Sequence, residues 1–436
     1  MTEPHLVPDY YPAFSCKMGA CRRPCCEGWP ISVSMKDYFR LLSLDCSAEL
    51  RERLDRGLHL SLHPSEDAYA QILPRYDGVC PLHMADGRCA LHAECGEDVL
   101  ALVCRLYPRG MRGGEHRECS CANSCEAVLE LLLHRDEPLS FITQPLEILL
   151  PDVPRQHHFN AAGNEQAIRL WLIRQLQRRE YPLPQRMLLL GQALHAAEAA
   201  LAQQDEGQLD ALLSGKASIP APAMPIPDPA QLLTGMEIME RMLDTLDQSS
   251  NSIRDHGDAA LAYFRSADIP FAAYETASVR MAEVLPQWET WFEHMLVNHM
   301  FFTQFPFQDR PVSLADEYRS LVVVYALLRC LLIGCLAEGG DEIHAVDIAA
   351  AVFRLVAHTT FDMYAPALLR ESGCSDWAHI RLLLSLYRRK PAPTGTGVFL
   401  MQASGIDRQR QESHRHGCRS PDTSRPESQT WCTSRR

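Results

Sequence analysis

Twelve cysteines lie between Cys16 and Cys125, out of 17 in the chain, and this crowding constrains the fold more than any other feature of the sequence. In a reducing compartment thiols do not persist as structural disulfides, so a dense local set points to a soft metal or an iron–sulfur cluster. The other five, Cys330, Cys335, Cys374, Cys418 and Cys432, are scattered, and an isolated helical cysteine is usually a small buried hydrophobe. The first cluster, FSCKMGACRRPCCEGW, brings Cys16, Cys21, Cys25 and Cys26 close together in one short stretch. A looped backbone presents several such sulfurs to one centre, and thiolates suit zinc or iron–sulfur chemistry better than hard cations. The second cluster holds Cys80, Cys89, Cys95 and Cys104, followed by Cys119, Cys121 and Cys125, with turns at Pro81, Gly87 and Pro108. A four-iron cluster takes about four cysteine thiolates, so the inventory fits one cluster with spare thiols or two centres. Residue types alone leave zinc open as the alternative. His83, His92 and His116 are further candidate ligands, although a histidine in such loops is more often a bystander.

The whole chain has 436 residues, enough for two or three domains at roughly 100–200 residues each. With 46% hydrophobic and 22% charged residues it can bury a core, which excludes disorder throughout. A net charge of −13 argues against a protein whose main task is to neutralise nucleic-acid phosphates. The opening MTEPHLVPDYYPAF has neither a basic nor an apolar leader segment, so the expected location is cytoplasmic. The most apolar run, Leu321 to Ala337, contains Arg329 and falls short of the roughly 20 residues that span a bilayer, so it is expected to be a buried helix, with no membrane partner.

Residues 10–135 are expected to form an irregular, coreless, cysteine-rich metal or iron–sulfur module that draws its folding energy from ligand convergence. Within it, Ser34 to Leu44 and Glu126 to His134 have helical spacing. Residues 150–218 form a helical region, with helices over Asn164 to Arg179 and Arg186 to Gln204. The stretch IPAPAMPIPDP, 219–229, is a stiff extended linker, because each proline fixes its own backbone angle and discourages helix in the residue before it. A helical domain over 230–390 follows, with apolar three- and four-residue steps in Leu232 to Leu246, Ala282 to His299, Asp316 to Glu338 and Ala345 to His358. Residues 391–436, rich in Ser, Arg, Gln and Pro, read as a disordered tail. Strands do not alternate with helices, and no Gly-x-Gly-x-x-Gly turn follows a strand-like segment, which argues against a doubly wound sheet and leaves no nicotinamide fingerprint. The expected fold class is mainly α: an irregular cysteine-rich metal-binding N-terminal module packed on an all-helical body, with a disordered C-terminal tail.

Phe14 to Trp29, CP at Cys80, GRC at Cys89, CGE at Cys95 and CRLYPR from Cys104 together resemble the flagellin lysine-N-methylase family. So do WLIR from Trp171, QRMLLLG through Gly191, NHMFFTQFPF from Asn298 and DEYRSLVV from Asp316. The resemblance covers roughly residues 10 to 385, and its cysteine-rich part is similar to a wider group of zinc- or iron-chelating modules. It implies an enzyme that moves a methyl group from S-adenosylmethionine to lysine amines on flagellin, with a 4Fe–4S cluster in the cysteine module. It also carries the metal-ligand pattern onto Cys16, Cys21, Cys25, Cys26, Cys80, Cys89, Cys104 and Cys125. Cys46, Cys95, Cys119 and Cys121 fall outside that pattern.

Methyl transfer to an amine needs a lysine without its extra proton, and its solution pKa is about 10.4, so the site must desolvate the amine or supply a base. Glu27, Tyr107, Asp316, Glu317 and Tyr318 are the groups to test. Asp316 and Glu317 also serve as acids favourable to a helix N-terminus, and Tyr107 and Arg109 as packing near the metal loops. Radical chemistry would call for Cys-x3-Cys-x2-Cys, and although Cys21 and Cys25 have the first gap, no third cysteine follows at the right distance. A polar displacement, with the cluster structural or positioning the donor, is therefore expected. Phe292, Phe301, Phe302, Phe305 and Phe307 are spaced for core packing more than for an adenine site. The competing reading from another class is a non-catalytic zinc- or iron–sulfur-binding protein for interaction or electron transfer.

Overall fold

Ser34 opens a helix where the sequence places one, and Ser47 opens another that is not among the expected helices: their hydroxyls accept from the backbone N–H of Asp37 and Leu50, three residues on. The computed structural model describes residues 2–113, 116–147, 159–161, 163–224, 229–246, 251–266, 270–308 and 311–385. The expected tail, 391–436, and the start of the 150–218 region lie outside them. The N-terminal part runs β1 (Thr2–Pro8), β2 (Ile31–Val33), α1 (Met35–Leu42), α2 (Ala48–Gly57), β3 (Leu58–Leu60), β4 (Ala70–Ile72), α3 (Ala90–Cys95), α4 (Leu102–Leu106), β5 (Arg109–Arg112), β6 (Glu118–Cys121), α5 (Glu126–Leu133) and β7 (Phe141–Glu147). The body follows as α6 (Glu165–Leu176), α7 (Leu183–Ala202), α8 (Glu206–Leu213), α9 (Pro229–Leu246), α10 (Asn251–Arg265), α11 (Pro270–Val284), α12 (Trp288–Thr303), α13 (Leu314–Cys335), α14 (Glu342–His358), α15 (Phe361–Glu371) and α16 (Trp377–Ser385). The molecule is mainly helical, as expected.

The N-terminal part is more regular than its composition suggests. One sheet has the order β5-β6-β1-β7, with β1 antiparallel to β7 from Thr2 opposite Glu147 to Pro8 opposite Phe141. A second, β2-β4-β3, is antiparallel throughout. The module is also not coreless. Ile31, Val33, Leu41, Leu50, Leu54, Ala70, Ile72, Leu82 and Leu91 close into a small core of their own, because the short alternating runs on β2 and β4 bury one face against α1 and α2.

The helical body packs around α13, whose residues are almost all buried. It is the one helix among the described residues long and apolar enough to cross a membrane, and 89% of its apolar window is covered by protein. The expected helix over Ala282 to His299 is instead two helices, α11 and α12. They are interrupted at Leu285, Pro286 and Gln287, since Pro286 lacks an N–H and biases the residue before it away from helix. Two buried polar clusters tie sheet to body. Asn298 of α12 accepts from Tyr10 Oη at 2.7 Å and donates to the Cys121 carbonyl at 2.8 Å and to Asn123 Oδ1 at 2.6 Å. Arg169 of α6 pairs with Glu118 of β6 at 2.8 Å, both nearly fully buried. Buried polar groups are stable only when paired, so these contacts fix how the module meets the helices.

Candidate metal centre

The loop carrying the first four cysteines is held at both ends by backbone and by salt bridges. Lys17 Nζ lies 2.8 Å from Glu126 Oε1 and 2.7 Å from Glu130 Oε1, while the other Glu126 oxygen accepts from the backbone N–H of Arg22 and Arg23. Arg22 reaches Asp347 of α14 at 2.8 Å, and Arg354 of the same helix donates to the Arg23 carbonyl. Further on, the Cys80 N–H donates to the Cys26 carbonyl at 2.8 Å and the Gly28 N–H to the Gly78 carbonyl at 2.8 Å, which sews the first cysteine loop to the second. The two loops also meet backbone to backbone. A Cβ on Gly87 would stand 2.1 Å from the Gly19 carbonyl oxygen, and both residues have positive φ, so glycine is required at each.

These contacts enclose a cavity of about 440 Å³ lined by Cys16, Cys21, Cys25, Cys26, Cys80, Cys89, Cys104 and Cys125. All eight cysteines of the expected ligand set are there. Cys46, Cys95, Cys119 and Cys121 are not on its wall; Cys119 and Cys121 are buried in β6, where the Cys119 thiol meets Tyr11 Oη at 3.4 Å. Cys89 and Cys125 occupy the caps of α3 and α5, so backbone N–H groups point at their sulfurs and favour the thiolates. Asp37 of α1 accepts from the Leu102 N–H at 3.1 Å and thereby seats α4, which carries Cys104. Cys26, Cys80, Cys89 and Cys104 back onto the small core, whereas Cys125 packs on the large one.

Burial pushes the thiols up: Cys21 to about 12, Cys80 and Cys125 to about 11, and Cys104 higher still, with neighbouring cysteines adding to each shift. The Cys25 thiol is raised first by its approach to Cys26, at 4.0 Å between sulfurs, and then by burial. Eight thiolates in one cavity repel one another, and a cationic centre is what relieves that cost, since metal binding expels the protons. Among the described residues no three His, Cys, Asp or Glu side chains are gathered tightly enough to hold a single ion. The rest of the wall includes Trp29, His92, Tyr107 and the guanidinium groups of Arg23, Arg88, Arg105, Arg109 and Arg354.

The other groups considered from sequence are placed as follows. Tyr107 and Arg109 line the cavity: Tyr107 Oη is 3.0 Å from Ser124 Oγ, and Arg109 lies over the Phe14 ring at 5.1 Å. Glu27 is off the wall and pairs with Arg23 at 3.6 Å. Asp316, in the first turn of α13, binds Arg319 and Arg370, Glu317 accepts from Gln308, and Tyr318 donates to the Met187 carbonyl at 3.0 Å, all away from the cysteines. Phe292, Phe301, Phe305 and Phe307 are core residues; Phe302 is not, and lines a second cavity. Arg354 had no signal in the sequence, because nothing in the text of a helix announces which distant loop its outer face will meet.

Residues 169–383 match the FliB lysine N-methylase C-terminal domain. The chain carries a domain of the FliB lysine N-methylase family. It is thus a protein lysine N-methyltransferase, and the matched domain runs from α6 into α16. Comparison with curated proteins and with solved structures gave no match. Within the enzyme, the cysteine cavity lies almost wholly outside the methylase domain, with Arg354 as that domain's contribution to its wall.

Proposed function

We propose that the enzyme carries a methyl group from S-adenosylmethionine to lysine side chains of flagellin, in the cytoplasm, using an iron–sulfur cluster whose thiolate ligands are drawn from Cys16, Cys21, Cys25, Cys26, Cys80, Cys89, Cys104 and Cys125. One observation carries the reading: eight cysteines spread over a hundred residues of sequence line one cavity joined to a lysine N-methylase domain. A tetrahedral zinc takes four close thiolates with bonds of about 2.3 Å and stays the alternative occupant. A four-iron cluster gives each thiolate a different iron, so its sulfurs stand further apart around a wider centre. The five arginines on the wall match the excess negative charge of a thiolate-bound cluster and the carboxylate of the donor, and Trp29 offers a flat face for an adenine.

Bound there, the donor supplies an electrophilic methyl carbon. The chain's own work is to exclude water, to line up an amine and to keep it unprotonated. A polar displacement fits this division, since the chain lacks the Cys-x3-Cys-x2-Cys pattern that radical cleavage of the donor calls for. The methylase domain weighs against a non-catalytic metal protein. The test is anaerobic purification with iron, zinc and sulfide determined per chain, followed by donor binding and the mass of flagellin after reaction. Iron and sulfide together, with methyl groups added to flagellin lysines, are expected. Zinc without iron, or flagellin left unmodified in the presence of bound donor, would overturn the reading.

A further inference from the structure

NHMFFTQFPF and the start of α13, both distinctive in the sequence, do not reach the cysteine cavity; they meet at another one. This second cavity, about 290 Å³, is walled by His299, Phe302 and Thr303 of α12, Phe353 and Val356 of α14, and Ser124 ahead of α5. Exposed Ala357 forms part of its rim. Most of the lining belongs to the methylase domain. The wall between the two cavities is thin. Tyr107 on the cysteine side is hydrogen-bonded at 3.0 Å to Ser124 on this side, and Arg354 Nε on the cysteine side donates to the Ser124 carbonyl at 3.3 Å.

We propose that this second cavity receives the acceptor lysine side chain as a neutral amine, with the His299 imidazole accepting one of its N–H bonds. The proposal rests on lysine methylation by this enzyme and adds the place where the acceptor sits. Phe302, Phe353 and Val356 provide apolar surface for the lysine methylenes. The His299 ring lies against Phe353 with centroids 5.5 Å apart, and the described residues give its ring nitrogens no hydrogen bond. Dehydration lowers its pKa to about 4, so at neutral pH the ring is an uncharged acceptor that does not repel the incoming nitrogen. The charged groups on the surrounding walls are Arg112 of β5 and Asp362 of α15, with Glu317 of α13 behind Gln308.

Burial disfavours the ammonium form, so the lysine leaves its proton to water as it enters. The nitrogen lone pair then forms the N–C bond while the S–C bond of the sulfonium donor breaks, and the donor departs as a thioether. The proton remaining on the product nitrogen goes to water as the product leaves. For the nitrogen to meet the methyl carbon in line with the departing sulfur, the Tyr107–Ser124 pair that separates the two cavities has to part.

The test uses the full iron-loaded enzyme and n-butylamine as probe, followed by ligand-observed NMR across pH. Binding is expected to strengthen as pH rises toward the amine's own pKa, to weaken about tenfold in His299→Phe and to stay within about threefold in His299→Gln, whose amide carbonyl still accepts. Ala357→Trp, at an exposed position that leaves the core intact, is expected to block the probe and to raise KM for flagellin. Binding that falls as pH rises marks an ammonium site at Asp362 and overturns the proposal, as does unaltered binding in both His299→Phe and Ala357→Trp. Because n-butylamine binds without donor, loss of donor binding or of iron would sink the methylation chemistry and leave this assay standing.

Discussion

Cys104 and Cys46 are each partly buried in the same module, yet only Cys104 faces the cavity. Cys104→Ser is expected to remove at least about half of the iron bound per anaerobically purified chain, whereas Cys46→Ser leaves the iron content unchanged. His299 gives a pH signature of its own. Its folded pKa, about 4, lies below the unfolded value near 6.5, so its contribution to stability is present above pH 6.5 and is lost as pH falls toward 4. Denaturant titrations at pH 7 and pH 5 are expected to show a drop about 1–2 kcal/mol larger in the wild type than in His299→Phe. The gathering of cysteines could be anticipated from the sequence because cysteine is scarce elsewhere in the chain, and it was the family resemblance that singled out the eight now found on one cavity wall. His299 could not, since at a helix end beside Phe301 and Phe302 it has the same periodicity as a core residue, and only coordinates reveal the opening beside it.

Among elements, α7 and α13 meet where Gly191 leaves room for the Tyr318 ring: a Cβ at Gly191 would lie 2.4 Å from Tyr318 Cζ. Gly191→Ala is expected to lower unfolding free energy by about 1–3 kcal/mol in denaturant, even though alanine is the better helix former, because the ring is pinned by its bond to the Met187 carbonyl. The long helices were legible from apolar periodicity, and Pro286 explains the one that divides. β1 and β7 were not. Pro4, Pro8 and Pro145 argue against strands on sequence grounds, yet Pro4 sits opposite Pro145, where neither residue has an N–H to leave unpaired, and the parallel contact of β1 with β6 is made at Leu6, whose N–H reaches the Arg117 carbonyl at 2.9 Å.

The described residues close around two unequal cores, a small one under the cysteine loops and a large one around α13. Of the cavity cysteines, Cys26, Cys80, Cys89 and Cys104 back onto the small core, whereas Cys125 packs on the large one. Stripping iron with a chelator under oxidising conditions is expected to open residues 14–125 to protease while α6 to α16 stay resistant, and calorimetry of the stripped protein should show a low-temperature transition absent from the loaded one. A single transition unchanged by stripping would mean that the cavity contributes nothing to folding.

The first cysteine loop is clasped by Asp347 and Arg354, more than three hundred residues downstream. During synthesis, therefore, a chain that has exposed every one of its cavity cysteines still lacks two of the side chains that hold the first loop in place. Any centre the cysteines take up would gain its full enclosure only after the ribosome has passed α14.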